Sequence, residues 1–215
     1  MEIISHRGYW LESSEKNTKK AFLRSFLAGY GTETDLRDLN GELVISHDIP
    51  KNDSNMLTAD DFFQLYVDSG CLGVLALNIK SDGLQSLIKE CLERYHIKNY
   101  FLFDASIPDS IVSINHGLTT FARSSEFEPK SILWGKCEGI WLDRFSNMSI
   151  DLELIQEMIK GGKKVSIVSE ELHKRETQPL WNELLKLPRE VLMSNNLILC
   201  TDVPDEASDC FKDYI

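Results

Sequence analysis

Eight short apolar runs recur along the whole chain, and between them lie segments in which apolar residues follow helical spacing. This alternation constrains the fold more than any other feature. The runs are apolar on both faces, as expected for parallel strands that helices cover. They lie at residues 3–5, 32–36, 74–79, 100–103, 118–122, 139–142, 164–168 and 197–200. Alternation of eight strands with helices favours a closed barrel over an open doubly wound sheet, and no Gly-x-Gly-x-x-Gly follows the first run. We predict a compact (β/α)8 TIM barrel of the α/β class, with residues 1–215 as a single domain.

The segments between the runs carry helix signals of different strength. Thr58 is placed to cap a helix that stops at Gly70. Weaker patterns predict helices around residues 108–114 and 129–134. An extended run at residues 43–46 follows a turn signal, so we expect it to pair back on the second strand.

Composition excludes several classes of function. The net charge of −11 argues against a general nucleic-acid binder or a protein docked on anionic lipid. No apolar run approaches the ~18 residues that span a bilayer, and the first residues do not have the pattern of a signal peptide. The five scattered cysteines form no zinc or disulfide pattern and favour a reducing compartment. The sequence predicts a cytoplasmic protein that neither spans a membrane nor binds nucleic acid, and it leaves the oligomeric state open.

Oxygen-bearing side chains lie on the second and third predicted barrel strands. Glu33 and Asp35 are two positions apart, so both point to the same face, and Asn78 lies near the end of the next barrel strand. Such a pair usually belongs to a solvated face, but inside a barrel carboxylates are costly without a partner. Because carboxylate and amide oxygens suit hard cations, we predict that these three residues bind a divalent metal, Mg²⁺ or Ca²⁺.

Two histidines and two cationic side chains are predicted at the same mouth of the barrel. His6 and Arg7 end the first strand, Lys80 ends the third barrel strand, and His47 ends the extra extended run. Imidazoles suit one general base and one general acid. A guanidinium and an ammonium group suit phosphate oxygens. This set is what cleavage of a small phosphodiester requires.

The motifs that carry these groups follow one another in a specific order. They are His6-Arg7-Gly8, Asn17-Thr18-x-x-Ala21-Phe22, Gly31-x-Glu33-x-Asp35-Leu36, Asn40-Gly41-x-Leu43-Val44-x-x-His47-Asp48, Asn78-Ile79-Lys80 and Thr201-Asp202-x-Pro204. In this order they resemble the glycerophosphodiester phosphodiesterases, which belong to the phosphatidylinositol-phospholipase-C-like phosphodiesterase superfamily. The resemblance is dense through residue 48 and continues at residues 75–80 and 200–204.

The resemblance implies a metal-dependent phosphodiesterase with a TIM barrel. A neighbouring hydroxyl of the substrate would attack phosphorus in line, and water would open the resulting cyclic phosphate. His6 and His47 carry over as the acid/base pair, and the two acidic residues of the second strand carry over as metal ligands. Arg7 carries over as a phosphate contact and Lys80 as the substrate-side lysine.

Three departures from the family pattern limit what the resemblance implies. Asn78 stands where the family usually has a glutamate, which removes one ligand charge. One extra residue follows Glu15, so no role is assigned to it. Only about 26 residues separate Asp48 from Leu75, which predicts a more open mouth, and the substrate can be a glycerophosphodiester or a related polyol or sugar phosphodiester.

Two other functions stay open from the sequence. Loss of the ligand charge at Asn78 favours a catalytically weakened barrel that binds a phosphorylated ligand. A metal-independent cyclising phospholipase is a weaker alternative, because both acidic residues of the second strand are retained. Among other polar candidates, His173 follows the seventh run and could reach the mouth, but a surface loop is the favoured position. We expect Thr201-Asp202 to close the last strand-to-helix turn by capping, and residues 49–55 to be mobile without ligand.

Overall fold

The computed structural model describes residues 1–51, 56–146 and 149–215, and strands alternate with helices through all three parts. Its strands are β1 (Glu2–His6), β2 (Gly31–Leu39), β3 (Glu42–Ile45), β4 (Leu75–Ile79), β5 (Tyr100–Phe103), β6 (Phe121–Ser124), β7 (Gly139–Leu142), β8 (Lys164–Val168) and β9 (Leu197–Thr201). Each predicted run coincides with one of them or overlaps it. The segment 49–55, predicted to be mobile, lies largely outside the described residues.

The eight parallel strands form a nearly closed barrel. Their order is β5-β4-β2-β1-β9-β8-β7-β6, and β3 pairs antiparallel with β2, as the sequence predicts. The remaining seam, between β5 and β6, is closed by one bridge between Leu102 and Thr120. The predicted (β/α)8 TIM barrel is therefore confirmed.

Helices cover most of the outer face of the barrel. They are α1 (Lys19–Leu27), α2 (Ala59–Ser69), α3 (Gln85–Arg94), α4 (Ile107–Asn115), α5 (Leu152–Lys160), α6 (Gln178–Leu184), α7 (Arg189–Leu192) and α8 (Pro204–Phe211). The Thr58 hydroxyl caps α2 by accepting from the amide of Asp61, and Gly70 ends the helix in the left-handed region with φ of 69°.

The helix predicted around residues 129–134 is wrong, because the chain forms a series of turns there. The Ser131 hydroxyl accepts from the amide of Leu133 and so competes with helical bonding. Ile132 is exposed, so the segment has no continuous apolar face to bury. Consequently β6 and β7 are joined without an α-helix.

Aromatic rings fill the interior of the barrel. Phe101 stacks on Phe121 with ring centroids 3.8 Å apart, and Phe103 stacks on Trp141 at 3.9 Å. Two further apolar clusters lie between the sheet and its helices. None of the helices in the described part of the chain is both long and apolar enough to cross a bilayer.

Two glycines let the chain before β4 approach the start of β2. A Cβ atom on Gly31 would lie 2.1 Å from the carbonyl oxygen of Val74, and one on Gly73 would lie 2.3 Å from the amide nitrogen of Gly31. Only glycine fits this backbone contact. The contact sets the register of β2 against β4, so that Asp35 lies opposite Asn78.

Candidate active site

His6 ends β1 at the carboxyl-terminal mouth of the barrel. Its Nδ1 lies 2.7 Å from Oδ1 of Asp202, and its Nε2 lies 3.9 Å from Oε2 of Glu33. A carboxylate can only accept a hydrogen bond, so Nδ1 carries the proton and Nε2 presents its lone pair. Burial lowers the pKa of His6, although the bond and charge of Asp202 oppose this shift. A neutral His6 with a free Nε2 is suited to accept a proton.

Two carboxylates on β2 form the floor of the site. Glu33 pairs with His6 in the register of β1 and β2, and both Glu33 and Asp35 are buried. Asp35 is contacted by Arg7 Nε at 3.0 Å, Asn17 Nδ2 at 2.8 Å and Lys80 Nζ at 3.4 Å. Asp35 thus holds the cationic side chains of Arg7 and Lys80 at the mouth, and it does not itself line the cavity.

Burial and neighbouring charges together shift the pKa of Glu33. Burial raises the pKa of Glu33 well above its ordinary value, and the neighbouring charge of Asp35 raises it further. The positive charges of Arg7 and Lys80 oppose the shift without cancelling it. Glu33 therefore favours its protonated form at neutral pH unless a cation binds it.

Three buried oxygens at this floor accept no hydrogen bond from any described residue. They are Oε2 of Glu33, Oδ1 of Asn78 and Oδ1 of Asp35, the last of which has only the ion-pair contact with Lys80 Nζ at 3.4 Å. Unsatisfied buried acceptors are rare, and three hard oxygens together are a suitable ligand set for Mg²⁺ or Ca²⁺. Across residues 1–51, 56–146 and 149–215, no three His, Cys, Asp or Glu side chains are grouped as a metal site. The fit thus depends on the Asn78 amide, because only two of the three ligands are acidic.

His47 follows β3 and reaches the same cavity from the rim. Its side chain is about half exposed, and its Nδ1 lies 2.9 Å from Oδ1 of Asp48. The cavity has a volume of about 300 Å³. It is lined by His6, Arg7, Glu33, His47, Asn78, Lys80, Phe103, Asp104, Trp141, Asp143, Phe145, Val168, Leu172 and His173. Six of the seven residues predicted for the site therefore line one cavity, and the seventh, Asp35, supports two of them.

Several polar residues at the site differ from the sequence-based expectation. Of the predicted Thr201-Asp202 cap, the Thr201 hydroxyl closes the turn before α8 by accepting from the amide of Val203 at 3.1 Å, whereas the Asp202 side chain binds His6 and Trp10 instead. His173 is not a plain surface residue, since it lines the cavity and its Nε2 lies 2.6 Å from Oδ1 of Asp143. The sequence signal for these two roles is an acidic residue directly after a strand: Asp143 after β7 and Asp202 after β9.

Glu15, which the motif left unassigned, lies away from the cavity. It accepts hydrogen bonds from Arg24 at 2.9 Å and from Lys20 at 2.5 Å. The bond from Arg24, followed by that from Lys20, lowers the pKa of Glu15 to about 2. Asn17 from the same motif contacts Asp35 instead. Glu15 therefore belongs to a structural ion-pair cluster beside α1.

Solved structures with the same arrangement of strands and helices include known phosphodiesterases. A candidate glycerophosphodiester phosphodiesterase from Galdieria sulphuraria gives a TM-score of 0.77 at 14% identity, covering 98% of this chain and 97% of that chain. An Oleispira antarctica phosphodiesterase in complex with the product sn-glycerol-3-phosphate gives 0.69 at 15% identity, with 99% and 97% covered. The chain has the fold of the glycerophosphodiester phosphodiesterases.

A Ca²⁺-dependent phosphatidylinositol-specific phospholipase C from Streptomyces antibioticus has a more distant version of this fold. Its TM-score is 0.54 at 12% identity, with 95% of this chain and 94% of that chain covered. No protein-family model and no curated protein sequence matches the chain. The resemblance that the motifs indicate is therefore confirmed for the glycerophosphodiester phosphodiesterase fold.

Proposed function

We propose that this chain, as one barrel domain, is a metal-dependent phosphoric diester hydrolase that acts on glycerophosphodiesters or a related polyol or sugar phosphodiester. The observation that carries the proposal is one cavity lined by His6, Arg7, Glu33, His47 and Lys80. It combines a neutral imidazole, a second imidazole at the rim and two cations. These groups are what a bound phosphodiester needs for charge neutralisation and proton transfer.

The divalent cation would be held by the three unsatisfied oxygens of Glu33, Asp35 and Asn78. When bound, it would neutralise charge on the phosphoryl oxygens. The proximity of Arg7 and Lys80 to Asp35 means that the same floor orients the two side chains that contact the phosphate. The proposal includes a cytoplasmic location, which the free thiols of all five cysteines support.

In this proposal the two imidazoles move the protons. His6 Nε2 takes the proton of a substrate hydroxyl next to the phosphate, and that oxygen forms a bond to phosphorus. The bond from phosphorus to the leaving oxygen breaks, and His47 supplies the proton that the leaving alcohol needs. In the second step, His47 takes a proton from water and the water oxygen forms a bond to phosphorus. The bond from phosphorus to the ring oxygen of the cyclic phosphate breaks, and that oxygen takes the proton held by His6.

The test uses the purified full chain with glycerophosphodiesters and with bis(p-nitrophenyl) phosphate. Reactions contain Mg²⁺, Ca²⁺, Mn²⁺ or EDTA, and ³¹P NMR follows the cyclic and open phosphate products. We expect turnover of glycerophosphodiesters that EDTA and His6→Ala abolish, and that the matched control His116→Ala keeps. His116 is an exposed residue beyond α4 and does not line the cavity.

A second candidate function is binding of a phosphorylated ligand without turnover. It is favoured by the amide of Asn78 in place of a third ligand charge, and by the ion pairs that already engage Asp35. Absence of turnover on every diester, together with binding of sn-glycerol-3-phosphate, would establish this alternative. Turnover that EDTA leaves unchanged would establish metal-independent cleavage instead.

A further inference from the structure

A second cavity adjoins the candidate active site at the ends of β6 and β7. Its volume is about 470 Å³. It shares four lining residues with the first cavity: Asp104, Trp141, Asp143 and Phe145. A group bound to phosphorus in the first cavity can therefore extend directly into the second. The second cavity plays no part in the proton transfers described above.

Donors and acceptors alternate along one side of this cavity. Arg123 lies between two carboxylates, with Nη1 3.5 Å from Oδ1 of Asp104 and Nε 3.3 Å from Oε2 of Glu128. Asp143 is held by His173 at its inner end. All of these side chains keep part of their surface exposed, so they can exchange water for ligand hydroxyls.

Exposed aromatic rings form the other side. Phe127 and Phe145 are 77% and 51% exposed, and their ring centroids lie 6.2 Å apart. Phe145 also meets the His173 ring edge-on, at 5.4 Å. Large exposed rings that border a cavity mark a surface that a ligand covers.

The backbone of Phe145 itself is hydrogen-bonded on both sides. The Phe145 amide donates to Glu126 at 3.2 Å, and its carbonyl accepts from Arg175 Nη1 at 2.9 Å. Arg175 is itself paired with the buried Glu170. The ring is therefore presented to the cavity by a fixed backbone, which reduces the entropy that a ligand must overcome on binding.

We propose that the second cavity holds the leaving alcohol of the phosphodiester and that this alcohol is a sugar ring. The inference rests on the proposed function and deepens it. The apolar face of a sugar ring covers an aromatic side chain, and its hydroxyls both donate and accept hydrogen bonds. This chemistry matches the Phe127–Phe145 side and the Arg123 side of the cavity.

Other leaving groups match the cavity less well. A quaternary ammonium group is attracted by the carboxylates and the rings, but it has no N–H to donate to these carboxylates and no atom that accepts from Arg123. A second phosphate meets three carboxylates, on Asp104, Glu128 and Asp143, against one arginine. A long acyl chain would leave these charged groups desolvated without partners.

The first experiment compares leaving groups on the full chain with a divalent metal present. We expect kcat/KM for glycerol-phospho-hexoses to exceed that for glycerophosphocholine and glycerophosphoethanolamine by about tenfold or more, a difference of ~1.4 kcal/mol. Phe127→Ala and Phe145→Ala should each reduce this preference about threefold to tenfold, which is the range for loss of one aromatic contact. Ile132→Ala, which removes an exposed apolar side chain outside the cavity, should leave the preference unchanged. A preference for the choline or ethanolamine diester would overturn the inference.

The second experiment separates failure of the inference from failure of the proposed function. Saturation-transfer NMR with methyl hexopyranosides, choline and glycerol is done in EDTA, so it requires no turnover. We expect transfer to a hexopyranoside that Phe127→Ala weakens, and unchanged melting of this variant serves as the folding control. Transfer without turnover would reject the hydrolase while keeping the sugar site. Turnover without transfer to any hexopyranoside, and without a preference for the hexose diesters, would reject the sugar site alone.

Discussion

The imidazole of His6 is oriented by a carboxylate 196 residues further along the chain. We expect Asp202→Asn to lower kcat/KM by about 100-fold or more, because an amide can donate to Nδ1 and hold His6 in the tautomer that has no lone pair on Nε2. The charge of Asp202 raises the pKa of His6, so its removal should move the acidic limb of the pH–rate profile to lower pH. A pH series of kcat/KM measures both effects.

The matched control is Asp205→Asn in the same segment. Asp205 accepts from Tyr9 and Tyr30 outside the cavity. It should keep both the rate and the position of the acidic limb. A fall in rate for the Asp202 variant without any movement of the limb would contradict a role through His6.

Asn78 contributes an unsatisfied oxygen but no charge to the candidate metal site. We expect Asn78→Glu to tighten binding of Mg²⁺ and Ca²⁺, because a third carboxylate adds ligand charge. Isothermal titration calorimetry measures the affinity. Asn182→Glu adds the same charge at an exposed position and should have no effect. An unchanged or weaker affinity in the Asn78 variant would place this residue outside the ligand set.

The raised pKa of Glu33 gives metal binding a defined pH dependence. Below that pKa the metal must displace a proton, so affinity should rise with pH by up to about tenfold per pH unit and level off once Glu33 is ionised. Glu33→Gln should bind metal more weakly and lose most of this slope. Calorimetry in buffers of different ionisation enthalpy counts the released proton, and a flat profile for the unmodified chain would contradict the assignment.

At the scale of elements, β2 carries both acidic residues, and its position depends on the contact between Gly31 and the chain before β4. We expect Gly31→Ala to lower the free energy of unfolding by roughly 1–3 kcal/mol, because a Cβ atom there meets the backbone of Val74. Urea unfolding measures the change. Gly135→Ala is the control, since a Cβ atom at Gly135 meets nothing within 4 Å. Equal stability of the two variants would mean that the backbone yields without cost.

Elements with a strong local pattern were predictable from the sequence. The strands show apolar character on both faces, and α2 has a capping Thr58 and a terminal Gly70. The segment 129–134 has no apolar stripe, and the Ser131 hydroxyl already accepts from the amide of Leu133. Its weak pattern therefore did not specify a helix. Five of the eight predicted strands differ from the structure by one to three residues at one or both ends, because hydrogen-bonded neighbours, and not composition, decide where pairing stops.

At the scale of the whole molecule, the seam between β5 and β6 is the weakest join in the barrel. We expect amides of β6 to exchange with solvent faster than those of β1, because β1 is paired on both sides and β6 is fully paired only with β7. Hydrogen-exchange mass spectrometry on the intact chain compares peptides from the two strands. Equal protection would mean that the barrel opens as one unit.

The early part of the site could be read from the sequence because its residues sit in compact motifs. His6, Glu33 and Asn78 lie on β1, β2 and β4, which are adjacent in the barrel. The contributions of Asp202 and of the Asp143–His173 pair could not be predicted in this way. They depend on which late loops meet the early strands once the barrel closes, and no local pattern encodes that meeting.

The bond between His6 and Asp202 joins the start of the barrel to the end of β9. A chain still emerging from the ribosome has every acidic residue of the early motifs but lacks the carboxylate that orients its imidazole. Such a nascent chain cannot orient His6 for the turnover of a diester. Catalytic competence would then appear only once β9 has paired with β1 and brought Asp202 to His6.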